Sequence, residues 1–206
     1  MNNLRKFDTF QDYEEAELVK PAVSLIAEDD SVFFDQKEAE PEAFGGLTVI
    51  YNVEDASNEV QLFNGGGGGS SESESESGGG GALPSRMIID GNEETPVNSW
   101  RFETSGEHTV QYEFEDNTVP PQFLDGVSIA TEAIIGIDIT NISSAAFNVE
   151  LTNGATCLST TPPVIVDSSA FGGGMGQVYP IYVPSDSVTA YQTAWSNLAT
   201  RIEAIQ

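Results

Sequence analysis

Ile142-Ser-Ser-Ala-Ala-Phe147 and Val166-Asp-Ser-Ser-Ala-Phe171 are near-duplicates set 24 residues apart, and the second lies just before Pro180-Ile-Tyr-Val-Pro184. A fixed period in the twenties is what stacked strand-and-turn coils produce, because one coil cannot bury its apolar side without a neighbour. Working outward, Phe123 precedes Phe147 by the same 24 residues, so Phe123, Phe147 and Phe171 are a predicted ladder of rings inside successive coils. The first coil is degenerate, since Pro120-Pro-Gln-Phe123 lacks the small residues of the later two. Ile134 to Ile139 and Pro163 to Val166 supply strands between the rungs. Three coils are near the minimum for a stable stack, so both ends need caps. Val188, Tyr191, Trp195, Leu198 and Ile202 recur at spacings of 3 and 4, which predicts a closing helix over Asp186 to Ile205 with Ser185 as its cap.

Upstream, the pattern changes from a long period to alternation. In Glu107-His-Thr-Val-Gln-Tyr-Glu-Phe114, Val110, Tyr112 and Phe114 fall on one face and Gln111 and Glu113 on the other, as in a half-buried strand. Gly46 to Val53, Val60 to Phe63 and Arg86 to Asp90 are rich in β-branched and large apolar residues and also predict strands. Between them, residues 65–81 are glycine runs around alternating Ser and Glu, with nothing apolar to bury. We read this stretch as a solvated loop inserted between strands of one small sheet. At the N-terminus, a short helix over Phe10 to Leu18 and a hairpin of Ala22 to Ile26 with Ser31 to Phe34, turning at Glu28-Asp-Asp30, are predicted. A helix and one hairpin bury too little to stand alone. Residues 1–38 therefore either dock on a partner, burying Leu4, Phe7, Tyr13, Leu18, Val23, Leu25, Val32 and Phe33, or pack on their own chain.

Charge excludes several classes of function. Asp and Glu number 33 against 7 Lys and Arg, a formal charge of -26. Such a surface repels a polyanion and forgoes the counterion release that drives nucleic-acid binding, and it disfavours an anionic membrane. No apolar run approaches the roughly 20 residues of a membrane-spanning helix, so a soluble chain is expected. Met1-Asn-Asn-Leu-Arg-Lys-Phe7 has a basic pair, but Asp8 and Asp12 stand where the apolar core of an export signal belongs. The single Cys157 excludes an internal disulfide.

Chemistry-bearing candidates are few. His108, the one histidine, lies between Glu107 and Thr109 and is expected to face solvent or seal a strand end, without a nucleophile motif beside it. Cys157 is expected to be a buried, inert thiol. Glu28-Asp-Asp30 and Glu93-Glu94 lack the alternating ligands, glycine and closing Glu of a calcium loop and are read as solvated charge. Gly172-Gly-Gly174 with Gly176 lacks the Lys-Ser/Thr of a phosphate loop and is read as a turn. Trp100, Tyr191 and Trp195 are expected in core or cap packing. No catalytic, cofactor-binding or metal-binding residue is expected.

Several stretches carry a family resemblance. Thr156-Cys-Leu-Ser-Thr-Thr-Pro-Pro163, Ser169-Ala-Phe171, and Pro180 through Trp195 to Arg201-Ile-Glu-Ala-Ile205 resemble the final coil and cap of BspA-like leucine-rich repeat proteins, common in Bacteroidetes and their phages. Tyr51 to Ser57, Met87 to Gly91 and Phe102 to Tyr112 are similar to the β-rich module that precedes the repeats in those proteins. Leu4 to Phe7, Lys20 to Ser24 and Val32 to Phe34 resemble an N-terminal segment of Bacteroidetes phage virion proteins, where it would attach an appendage to the particle. Long members carry many regular repeats, whereas here two rungs are well formed and neither a lipoprotein cysteine nor an export signal precedes them.

These readings predict a mainly β chain: an N-terminal helix-hairpin anchor over residues 1–40, a small β-sandwich-like module over 41–116, and a short degenerate leucine-rich repeat solenoid over 117–206 closed by a C-terminal helix. The resemblance implies a non-catalytic virion surface protein, a head-fibre, capsid-decorating or tail-appendage type, that binds other virion proteins through its N-terminus. It also implies a homo-oligomer displaying a face for host attachment, with a surface glycan or protein as ligand and no nucleic acid, membrane or cofactor. A Bacteroidetes cell-surface repeat adhesin is the alternative, and an accessory module of a carbohydrate-active enzyme a third.

Overall fold

The computed structural model describes residues 44–64, 83–172 and 178–206 in full, and the backbone alone of Val23–Glu28 (β1) and Ser31–Gln36 (β2). The chain divides into two compact units, Met1–Ala43 and Phe44–Gln206. In the first, β1 and β2 pair antiparallel from Val23 opposite Gln36 to Glu28 opposite Ser31. Of the expected anchoring residues, Val23, Leu25, Val32 and Phe33 fall on these strands. Leu4, Phe7, Tyr13 and Leu18, the helix over Phe10 to Leu18, and the turn residues 29 and 30 lie outside the described residues, as does the 65–81 stretch.

The second unit is mainly β. In chain order its strands are Leu47–Val53 (β3), Val60–Gln61 (β4), Arg86–Ile89 (β5), Asn92–Glu94 (β6), Ser99–Trp100 (β7), Gly106–Glu113 (β8), Thr118–Val119 (β9) and Ala130–Ile135 (β10). Asn141–Ile142 (β11), Gly154–Cys157 (β12), Val164–Ile165 (β13), Ile181–Val183 (β14) and Ile202–Ala204 (β15) follow, with one helix, Val188–Ala194 (α1), between the last two. An eight-stranded sheet runs β15-β14-β12-β10-β3-β8-β5-β6, and the small ladders β13-β11-β9 and β4-β7 complete the unit. Strands β3, β5, β6 and β8 pair antiparallel, and β10, β12, β14 and β15 run parallel. The two regimes meet where β10 pairs antiparallel with β3.

The boundary expected near residue 116 therefore separates nothing. One sheet and one buried cluster run through both parts, because β3, expected in a separate module, is the hydrogen-bonded neighbour of β10. The seam is tight. Gly136 donates to the Gly46 carbonyl at 2.7 Å and Asp138 to that of Gly45 at 2.9 Å, and a Cβ on Gly136 would stand 2.2 Å from the Gly45 oxygen.

From residue 117 the chain winds in coils that place one strand in each of two parallel ladders. Thr118, Asn141 and Val164 are in register, a step of 23 residues rather than the 24 of the near-duplicate. Ile142 thus pairs with Ile165, not with Val166. The extra residue of the third coil is taken up in a 3-10 turn, Ser168–Phe171, whose Ser169 backbone N–H is held by the Asp167 carboxylate.

The ring ladder is shifted for the same reason. Leu124 donates to the Ala146 carbonyl as Phe147 does to that of Ala170, so Leu124, not Phe123, is the residue beneath Phe147. Phe123 instead stacks on Phe63 at 5.0 Å and meets the edges of Tyr112 and Phe114. Phe147 stacks on Phe171 at 5.3 Å, and the ladder goes on to Trp195, 5.1 Å beyond.

The expected continuous helix from Asp186 to Ile205 is a correction too. It is helical over Val188–Ala194, is flanked by 3-10 turns at Ser185–Ser187 and Ser196–Arg201, and ends in strand β15. Trp195 leaves helical geometry (φ -110°, ψ 52°), putting its indole on the ladder and its Nε1 3.0 Å from the Pro163 carbonyl. The cap is thus a fourth coil, and Ser185 lies inside the first 3-10 turn without capping α1.

Candidate functional site

A concavity of the described surface opens where β3 ends. Alternation along β3 buries Leu47, Val49, Tyr51 and Val53 and leaves Asn52 exposed. After Val53 the chain turns through Glu54 to Glu59 before entering β4. Asp55 organises this turn by accepting from the Ser57 backbone N–H at 2.9 Å and from Asn58 Nδ2 at 3.0 Å. The Ser57 hydroxyl, then the Ser57 N–H and Asn58, hold its carboxyl below the usual carboxylate range.

The facing wall comes from Ser128 to Thr131. The register between β10 and β3 slips by one residue between Ala130 and Glu132, a β-bulge that leaves Thr131 outside the ladder. The bulge is pinned on both sides: Thr131 Oγ1 donates to the Ile50 carbonyl at 3.2 Å, and the Asn153 N–H donates to the Thr131 carbonyl at 2.8 Å. The Asn52 N–H reaches the Ile129 carbonyl at 2.9 Å and closes the floor. The result is an open cleft of about 410 Å³ with Val53, Val60 and Ile129 as its apolar lining and Asn52, Asn58 and Ser128 among its polar groups.

Glu54 and Asp55 are the charged residues of the lining, and no Lys or Arg is among its described residues. Beside the bulge, partial burial and then the neighbouring Glu107 push the Glu132 carboxyl up. The cleft therefore disfavours anions and offers amide and hydroxyl hydrogen bonding over an apolar floor. Among the described residues no group of three or more His, Cys, Asp or Glu is gathered as a metal site would need.

The sequence-predicted candidates fall outside this cleft. His108 is buried, not solvent-facing, because it shares the parity of Val110 and Tyr112 on β8. Its Nδ1 lies 2.7 Å from Asp90 Oδ2, its Nε2 lies 2.8 Å from the Thr104 carbonyl, and its ring stacks on Phe102 at 4.1 Å. With both nitrogens engaged, the ring ties the β5–β6 turn to the start of β8 and offers no free atom to a substrate. Cys157 is fully buried on β12, and burial pushes its thiol well above the ordinary range, which keeps it protonated. Glu93 and Glu113 flank Arg86 at 3.0 and 2.8 Å, an ion pair on each side of β5. Tyr191 and Trp195 are buried and Trp100 packs against the core.

Phe147 and Phe171 come together on the ladder, while Phe123 joins the aromatic cluster of the antiparallel end. Sequence reasoning missed the cleft. Its one local signal was Asn52-Val-Glu-Asp-Ala-Ser-Asn58, a turn-rich stretch after a strand. Neither a protein-family model nor a curated protein matches this chain.

Proposed function

We propose that this chain is a non-catalytic structural protein of a bacteriophage virion, a head-fibre, capsid-decorating or tail-appendage component that attaches through its N-terminal unit and displays the C-terminal unit for host attachment. The observation that carries this reading is the division into a small unit, Met1–Ala43, and a larger one with its own core, Phe44–Gln206. Among its described residues this small unit pairs two strands, and a lone strand pair is marginal by itself, which suits a segment that folds on a partner.

The coil region is read as a short, degenerate leucine-rich repeat stack of the BspA-like kind. The parallel step of 23 residues and the ladder of Phe147, Phe171 and Trp195 support that reading. Repeat stacks present surface more often than they host reactions, and the engaged His108 and buried Cys157 agree with a binding role. A charge of -26 keeps crowded copies on a particle from associating through their outer faces.

Quantitative peptide mass spectrometry of purified phage particles that encode this chain tests the proposal. Presence at a copy number matching capsid or tail symmetry is expected. Absence from particles together with recovery on bacterial cells would replace it with the surface-adhesin reading. A second check is limited proteolysis of the isolated chain, in which residues 1–38 should be cleaved first while the chain from about 85 onward resists.

A further inference from the structure

Resting on the reading of the second unit as a displayed binding surface, we infer that the cleft between the end of β3 and the bulge of β10 binds a neutral saccharide. Three observations carry this. The cleft exists because of a bulge, a feature that redirects a wall of a sheet at a loss of ladder hydrogen bonds. Its volume of about 410 Å³ lies within the size range of small-ligand sites. Its chemistry is mixed in the proportion a sugar ring presents: Val53, Val60 and Ile129 offer apolar surface to C–H faces, and Asn52, Ser128 and Asn58 offer donors and acceptors to hydroxyls.

Among the described residues, the side chains of Asn52 and Ser128 make no hydrogen bond within the protein, and Asn58 uses one of its two amide hydrogens on Asp55. They are free to meet a ligand. Charge narrows the class further. With Glu54 and Asp55 on the lining and no Lys or Arg among its described residues, a sialylated, sulfated or phosphorylated ligand would have its charge unanswered there. A basic ligand is the competing class, but one of the two carboxylates, Asp55, is already occupied by its own turn.

The test is retention of the full-length chain on an array of neutral oligosaccharides ending in glucose, galactose, mannose or N-acetylglucosamine, alongside sialylated and sulfated glycans and a lysine pentapeptide. Retention on one or more neutral glycans and not on the anionic ones is expected. Asn52→Ala and Ser128→Ala should each weaken it by about tenfold, the loss of one or two ligand hydrogen bonds. Gln192→Ala, an exposed change on α1, should leave it unchanged. Circular dichroism of each variant separates lost binding from lost fold. Retention that survives Asn52→Ala and Ser128→Ala, no retention on any neutral glycan, or preferential capture on the lysine peptide would each overturn the inference. The virion assignment fails or stands on particle composition alone, so the two failures are distinguishable.

Discussion

The two ends of the eight-stranded sheet are built from the same strand geometry and held by different devices. At the antiparallel end, β5 and β6 form a tight hairpin, β8 joins β3 to β5 from further along the chain, and alternation sends Met87, Val110, Tyr112, Val49 and Tyr51 to one face. The polar groups buried there are few and are satisfied by each other. Tyr51 donates to the Leu62 carbonyl at 2.5 Å, which leaves Tyr112 as donor in the 2.7 Å bond between the two hydroxyls.

At the parallel end no strand can pair with its sequence neighbour without a full coil between. Stability comes instead from contacts repeated one coil on, and the aromatic tips tie the coils together. Tyr179, Tyr191 and Trp195 each donate to a backbone carbonyl 32 residues earlier, those of Phe147, Ser159 and Pro163. Arg201 adds donors to the carbonyls of Phe171, Gly172 and Tyr179 and lies over the Tyr179 ring at 4.6 Å. The antiparallel end is thus specified pair by pair, whereas the parallel end is specified by recurrence.

The largest effect is expected at the seam. In Gly136→Ala the new methyl would meet the backbone oxygens of Gly45 and Gly46, 2.2 and 2.3 Å away, and backbone cannot swing aside as a flexible side chain does. A loss of roughly 4 kcal/mol or more is expected, with the whole of Phe44–Gln206 melting in one transition at lower temperature. Thermal unfolding followed by far-ultraviolet and aromatic signals checks it. Two separated transitions would mean that the ends fold independently and that the seam is a mere contact.

Next is the open end of the stack. Trp195→Ala removes the last ring of the ladder and strands the Pro163 carbonyl, for an expected loss of about 3 to 4 kcal/mol. Because coils contact only their neighbours, hydrogen exchange should quicken first over residues 179–206 while β3 and β8 keep their protection. Uniform loss of protection would mean that the last coil does not open locally ahead of the global transition.

The two ends also differed in how far they were legible. Alternation in β8 fixed which residues are buried, but polar flanks hid that His108 lies on the core side, where only its parity with Val110 gave it away. The near-duplicate at 142 and 166 exposed the coils and misplaced their register. Its match spans the one-residue insertion that the Asp167-held turn absorbs, and identity of letters does not reveal an insertion. Spacings of 3 and 4 from Val188 to Ile202 look the same in a long helix and in a coil that breaks at Trp195 to fill a ladder position. The cleft was less legible still, since its walls come from residues 52–60 and 128–131 and a bulge leaves no mark in either stretch.

A smaller loss, about 2 kcal/mol, is expected for Tyr51→Phe, which leaves the Leu62 carbonyl and the Tyr112 hydroxyl each short of a buried partner. The same pair gives the antiparallel end a pH signature. Burial raises both hydroxyls well above the ordinary tyrosine range, so the folded state keeps protons that the unfolded chain releases near pH 10. Their contribution is fully present below about pH 10 and is lost as pH rises beyond it. Absorbance at alkaline pH should show these two tyrosines ionising only with unfolding, and Tyr51→Phe should flatten the decline in stability.

The smallest effect tests whether the antiparallel edge owes anything to charge. Arg86 bridges Glu113 at 2.8 Å and Glu93 at 3.0 Å, across β5 from both neighbours, but all three side chains are 40% or more exposed. Water screens such pairs, and holding three long side chains in one arrangement costs rotamer freedom, so Arg86→Ala should lower stability only slightly. The loss should shrink further in high salt, as attraction between exposed charges does. Yet the chain's charge of -26 makes this arginine the local counterweight to two carboxylates on adjacent strands. Without it, Glu93 and Glu113 face each other's repulsion across β5, and added salt should then stabilise the variant more than the parent. Denaturant midpoints at low and high salt separate the two contributions. An equal response to salt in both proteins would mean that the edge strand β6 is held by its ladder hydrogen bonds to β5 alone.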